Sequence, residues 1–241
     1  MPTHLGTAWV AGKGTRQDGR FAGAAIKLDD HHILMHDRTH TDLSESALIH
    51  HDDGKSMISF PGKPEIHPHE PPARGDQRFG WNHVEQGLAG SQFGLYKRAP
   101  FVHYGHKTNG MEAANQRQAG DFKPPVFERN TSHLGSDCSV HGWREGATPS
   151  APRQFVKFPV QPDCPPGRVG HCKLRPTGQH SGACENGGGD RGSPVTCGPE
   201  GKLTYLVTQG ASKGCQGSLF EAFHVGHLVP ELERNKVSTT G

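Results

Sequence analysis

Residues 184–197 read CENGGGDRGSPVTC, a glycine-rich stretch that lies between two cysteines. Three consecutive glycines are also found in loops that bind phosphate groups. Such a loop needs Lys-Ser or Lys-Thr after its glycines, however, and neither pair follows here. The stretch therefore does not indicate a nucleotide site, and its meaning depends on the rest of the chain.

The composition points to a loop-rich β protein. The 33 Gly and 19 Pro among 241 residues exclude a mostly helical bundle, because both residue types weaken helices. A formal net charge of +2 provides no strong positive field for nucleic acid, and no apolar run is long enough to span a membrane. With only 32% hydrophobic residues, we expect a thin core that needs covalent support.

The six cysteines favour disulfides and an oxidising compartment. They are Cys138, Cys164, Cys172, Cys184, Cys197 and Cys215, all in the C-terminal half. A zinc site is less favoured, because there is no C-x-x-C pair. The sequon Asn130-Thr131-Ser132 is compatible with glycosylation and secretion, whereas the first six residues lack the features of a signal peptide.

Short apolar stretches separated by turn-forming residues predict many short strands. We expect strands at residues 8–11, 21–26, 33–35, 138–143, 154–160 and 203–208, with weaker candidates at 92–96 and 126–127. Residues 61–80 and 162–190 are predicted to be loops, and residues 228–235 a C-terminal helix. This pattern is typical of a β-barrel or a pair of barrels.

The loop at residues 184–197 also resembles the nucleophile loop of trypsin-like serine proteases, C-x-G-D-S-G-G-P-L-V-C. Two further stretches are similar to family motifs: CSVHGW at residues 138–143 to C-x-V-x-G-W-G, and residues 208–215 to S-W-G-x-x-C. The resemblance implies an all-β, trypsin-like domain over residues 1–241, with two six-stranded antiparallel β-barrels. The first barrel would span about 1–110, the second about 120–227, and a short C-terminal helix about 228–235.

The same resemblance implies how the cysteines pair. Cys138 would bond to Cys197, Cys164 to Cys172, and Cys184 to Cys215. The family's bridge beside the catalytic histidine would fall on Phe21 and Thr39, neither of which is a cysteine.

The resemblance also implies that the catalytic triad is replaced. The serine falls on Arg191, the histidine on Arg38 and the aspartate on Gln92. Arginine keeps its proton at physiological pH and offers no lone pair for attack on a carbonyl. His36 and His40 flank Arg38 at two residues' distance.

Other parts of the family's active site can be placed in the same way. The remnant of the oxyanion loop is Gly189, Asp190 and Arg191, with the backbone N–H groups of Gly189 and Arg191 as donors. The base of the specificity pocket falls at Gly182, which carries no charge.

These features predict a secreted, non-catalytic protease homologue that binds another protein. The partner would be an active protease, its substrate or another component of a protease cascade, with no cofactor, metal, nucleic acid or membrane involved. One alternative is a serine-type hydrolase with a rearranged site, in which Ser193 is a displaced nucleophile. Another is a metal-binding protein that uses some of the 18 histidines, several of which occur as close pairs.

Overall fold

The structure is a computed structural model. It describes residues 7–12, 21–29, 32–42, 47–51, 57–60, 77–78, 81–98, 124–131, 137–144, 154–177, 191–209 and 219–241. Among the helices in these ranges, none is long and apolar enough to cross a membrane.

The N-terminal half forms one antiparallel sheet. Its strands are β1 (Thr7–Gly12), β2 (Phe21–Lys27), β3 (His32–His36), β4 (Ala47–His51), β5 (Met57–Phe60), β6 (Gln77–Arg78), β7 (Trp81–Glu85) and β8 (Phe93–Arg98). They lie in the order β5-β4-β1-β2-β3-β8-β7-β6. A short helix, α1 (Asp37–Asp42), follows β3 directly, and a single 3₁₀ turn, Leu88–Gly90, precedes β8.

The C-terminal half forms a closed antiparallel barrel of six strands. They are β9 (Cys138–Arg144), β10 (Gln154–Asp163), β11 (His171–Pro176), β12 (Pro194–Cys197), β13 (Lys202–Gln209) and β14 (Phe220–His224). The barrel closes in the order β10-β11-β14-β13-β12-β9. A 3₁₀ turn, Val225–His227, and a second helix, α2 (Val229–Arg234), complete the chain.

Strand β13 is apolar along most of its length because both of its faces are covered. Tyr205 and Val207 belong to the cluster inside the barrel, whereas Leu203 and Leu206 belong to a second cluster. That second cluster also includes Ile26 of the first sheet. The two halves therefore share a hydrophobic core, and buried side chains from both pack together at the junction between them.

The closed second barrel and the short C-terminal helix agree with the predicted all-β, trypsin-like fold. The first half differs in detail, because its described strands form a sheet of eight in linear order instead of a closed ring of six. The sequence also predicted a loop over residues 162–190, where the structure has β11. In β11, Cys172 and Leu174 are buried while Lys173 and Arg175 are exposed, an alternation that the neighbouring Pro and Gly residues obscured.

Candidate functional site at the junction of the two halves

Arg191 lies where the two halves meet, and three backbone hydrogen bonds hold the segment around it. The N–H of Ala24 in β2 donates to the carbonyl oxygen of Arg191 over 2.7 Å. On the other side, Gly192 N donates to Val207 O (2.7 Å), and Val207 N donates to Ser193 O (3.0 Å). Residues 191–193 are therefore clamped between β2 and β13.

This close approach requires glycine at two positions. Gly192 has a φ of +86°, and a Cβ atom on it would collide with the carbonyl oxygen of Ala24. A Cβ atom on Gly23 would collide with the hydroxyl of Thr39 and would lie 2.9 Å from Arg191 O. Gly23 thus lies directly against Thr39.

Helix α1 brings Arg38 to the same region. Thr39 is buried against Gly23, which also approaches the carbonyl oxygen of Arg191, and the neighbouring Arg38 is exposed. The N–H of Asp37 donates to Gln92 O over 2.8 Å, and this bond fixes the start of α1 against the start of β8. Through Gly23, helix α1 and the backbone of Arg191 thus meet at one end of β2, while Gln92 contacts the start of α1.

His36 is buried beside these residues, and its hydrogen bonds define its protonation. Its Nδ1 accepts a hydrogen bond from the N–H of Arg38 (3.0 Å), so that nitrogen carries the lone pair. Nε2 then carries the proton and donates to Gln92 Oε1 over 2.9 Å. In this neutral form the basic nitrogen of His36, Nδ1, is occupied by the backbone N–H of Arg38. It is therefore not positioned to take a proton from a substrate. His40, also buried, stacks on Tyr96 with ring centroids 4.2 Å apart.

Ser193 is fully buried, and its Oγ makes no hydrogen bond. A substrate carbonyl has no access to a hydroxyl in this position, so the geometry argues against Ser193 as a displaced nucleophile.

Asp37 is a polar residue of this region that the sequence analysis missed. Its Oδ1 accepts a hydrogen bond from the hydroxyl of Tyr96 (2.7 Å), and its Oδ2 accepts one from the N–H of Gly87 (3.1 Å). An acidic residue is common in the first turn of a helix, where it interacts favourably with the helix dipole. Because the sequence analysis did not predict α1, it could not recognise Asp37 as such a residue.

Two of the three implied disulfides are present. Cys138 is bonded to Cys197 across the neighbouring strands β9 and β12, and Cys164 is bonded to Cys172 between β10 and β11. Several predicted residues lie outside the described residues, namely Gly182, Cys184, Gly189, Asp190 and Cys215. The pocket base, most of the oxyanion loop and the third disulfide thus remain predictions. Asn130 is exposed at the end of the segment 124–131.

No group of three or more His, Cys, Asp or Glu side chains within the described ranges is arranged to hold a metal ion. His224, for example, lies near His227, but its Nδ1 accepts a hydrogen bond from Gly226 N over 3.0 Å. Most of the close histidine pairs in the sequence fall partly or wholly outside these ranges.

Comparison of the sequence with protein families and with curated proteins finds no match. Solved structures are similar over nearly the whole chain. Neuropsin, a serine protease expressed in the limbic system of mouse brain, is 11% identical with a TM-score of 0.56, covering 97% of this chain and 95% of its own. The fold is that of a trypsin-like serine protease.

Two further solved structures are similar to this chain in fold. Kallikrein-related peptidase 10 in complex with Zn²⁺ is 12% identical with a TM-score of 0.55, covering 98% of this chain and 97% of its own. The scabies mite inactivated protease paralogue S-I1 is 13% identical with a TM-score of 0.57, covering 95% of this chain and 94% of its own. At these identities the likeness concerns the fold alone.

Proposed function

We propose that this trypsin-like chain is a non-catalytic serine protease homologue that binds another protein through the surface around Arg38 and Arg191. The observation that carries the proposal is the chemistry at the junction of the two halves. Among the described residues, the three positions that the sequence assigns to the triad hold two guanidinium groups and an amide, and the basic nitrogen of the nearby His36 accepts a hydrogen bond from the backbone. None of them supplies the hydroxyl nucleophile and the oriented base that acyl transfer needs.

A binding role follows from what replaces the catalytic groups. Arg38 is exposed and Arg191 is partly exposed, and both keep a positive charge at any physiological pH. Arginine is favoured at protein interfaces because its planar guanidinium forms paired hydrogen bonds to carboxylates. The existence of an inactivated paralogue with a similar fold supports the view that this fold is retained without catalysis. We propose an active protease, its substrate or another cascade component as the partner.

We also propose that the protein acts outside the cell. Two disulfides are present, and disulfides persist mainly in oxidising compartments. The exposed sequon at Asn130 is compatible with glycosylation there.

A fluorophosphonate probe tests the absence of catalysis, with trypsin as the positive control. We expect no labelled serine in this protein under conditions that label trypsin completely. A fluorophosphonate adduct on any serine, identified by peptide mass spectrometry, would favour the rearranged hydrolase and contradict the proposal.

A capture experiment from the native extracellular fluid tests the binding role. The wild-type protein is compared with the double variant R38A/R191A and with the control R175A, which removes an exposed arginine from β11 on the second barrel. We expect a partner that the wild type and R175A retain and that R38A/R191A loses. Retention of the same proteins by all three would place binding elsewhere, and no retained protein would argue against a binding role.

A further inference from the structure

A disulfide-closed loop connects β10 to β11 in the second barrel. Residues 164–172 read CPPGRVGHC, and Cys164 is bonded to Cys172 at the base of the loop. Residues 165–169 are all exposed, and Val169 is 78% exposed, the most exposed of the large hydrophobic residues in the described ranges. An exposed loop tip of this kind is where proteolytic enzymes gain access to folded proteins.

Arg168 occupies the tip of the loop. Within the part of the chain that the structure describes, its guanidinium makes no ion pair and no hydrogen bond, so it is available to another molecule. A long cationic side chain of this kind fits the pocket of a trypsin-like protease, whose base carries an aspartate. The next residue is Val169, so the peptide bond after Arg168 does not involve the nitrogen of a proline. By contrast, Arg175 lies within β11 and is followed by Pro176.

One hydrogen bond closes the turn at the tip. His171 N donates to Arg168 O over 3.0 Å. Beyond the turn the chain is anchored, because His224 N donates to Gly170 O over 2.7 Å and Gly170 lies directly against the ring of Phe223. Proteases bind their substrates in an extended conformation. To adopt that conformation, residues 165–169 must break the turn bond and Gly167, whose φ is +100°, must change its backbone conformation, while the disulfide holds the base of the loop.

We propose that the Arg168–Val169 peptide bond is a processing site for an arginine-specific serine protease. In this step water is consumed: the C–N bond between Arg168 and Val169 breaks, the carbonyl carbon gains an oxygen to form a carboxylate, and Val169 gains a free amino group. The two parts of the chain stay joined, because Cys164 and Cys172 lie on opposite sides of the cut. The site does not involve Arg38 or Arg191, so this inference stands apart from the proposed binding role.

Limited digestion of the intact, non-reduced protein with trypsin tests this site. New amino termini are labelled and identified by mass spectrometry over a time course. We expect Val169 to become a new amino terminus at least about 100-fold faster than Leu174, because the bond after Lys173 lies in a strand that must open first. A peptide pair that spans the cut should remain linked until a reducing agent is added.

Two matched variants make the result decisive. R168Q should abolish the Val169 terminus, and K173Q, which removes another exposed cation of the same hairpin, should leave its rate unchanged. Near-UV circular dichroism checks that both variants are folded. If Val169 appears no faster than Leu174, or only under conditions that unfold the barrel, the proposal is wrong.

Discussion

At the scale of single residues, the junction depends on a glycine that no other residue can replace. Gly192 has a positive φ, and a Cβ atom added to it would overlap the carbonyl oxygen of Ala24. We expect G192A to lower the free energy of unfolding by about 3 kcal/mol, because it adds a steric clash to backbone strain. Urea unfolding followed by circular dichroism measures this change.

Gly198 is the matched control for that experiment. It also has a positive φ, +74°, but a Cβ atom on it would meet nothing within 4 Å. G198A should therefore cost only the strain of the left-handed conformation, about 1 kcal/mol. Equal losses in the two variants would show that Gly192 is not in tight contact with Ala24.

His141 makes the stability of the second barrel depend on pH. It is buried, with Nε2 2.8 Å from Thr196 Oγ1 and with Lys157 opposite it on β10. Burial, and secondarily the charge of Lys157, lower the pKa of His141 from 6.5 to about 4. The unfolded chain therefore binds more protons than the folded one between these two values. The contribution of His141 to stability is complete above pH 6.5 and decreases as the pH falls toward 4.

Comparison of the wild type with H141Q isolates this contribution from other titrating groups. Between pH 7 and pH 4 the wild type should lose up to about 3 kcal/mol more than the variant, since one pKa unit corresponds to about 1.4 kcal/mol. Urea unfolding at pH 7 and at pH 4 gives the change in the free energy of unfolding for each protein. A parallel decrease in both proteins would mean that folding does not lower the pKa of His141.

At the scale of elements, α2 is held by its apolar face more than by its ion pairs. Leu232 is fully buried in the shared core, whereas Arg234 forms an ion pair with Glu85 over 2.8 Å while its side chain stays 63% exposed. We expect L232A to lower the free energy of unfolding by about 3 kcal/mol, because it leaves a cavity. R234A should lower it by less than about 1 kcal/mol, because exposed ion pairs contribute little. Thermal and urea unfolding of both variants measure these two losses of stability. A larger loss for R234A than for L232A would mean that the ion pair, and not the apolar face, holds α2 in place.

The elements that could be predicted from the sequence are those with a visible pattern. Strands β2, β3, β9, β10 and β13 were expected within a few residues of their observed bounds, because each has consecutive or alternating apolar residues. Strands β11 and β14 were among those missed, because each is short and the alternation of β11 is flanked by Pro and Gly residues that favour a loop.

The assignment of Arg191 to the position of the family's serine rests on glycines and cysteines that mark positions along the chain, and it stays a prediction. The hydrogen bonds of His36, and the contact between Gly23 and Thr39, could not be predicted, because they arise from packing between elements distant in sequence.

At the scale of the whole molecule, the two disulfides should contribute unequally to stability. Cys138 and Cys197 are separated by 59 residues, whereas Cys164 and Cys172 are separated by 8. A crosslink that closes a longer loop removes more conformational freedom from the unfolded chain. The chain-entropy relation gives about 4 kcal/mol for the first disulfide and about 2.5 kcal/mol for the second.

The double variants C138A/C197A and C164A/C172A test this order by equilibrium unfolding in urea. Cys138 and Cys172 are both almost completely buried, so the loss of packing is similar in the two variants, and the difference between them reports mainly on loop length. We expect C138A/C197A to be the less stable by about 1.5 kcal/mol. If C164A/C172A were the less stable, the short loop around Arg168 would contribute native contacts of its own. The tip of that loop would then be too rigid to open for a protease.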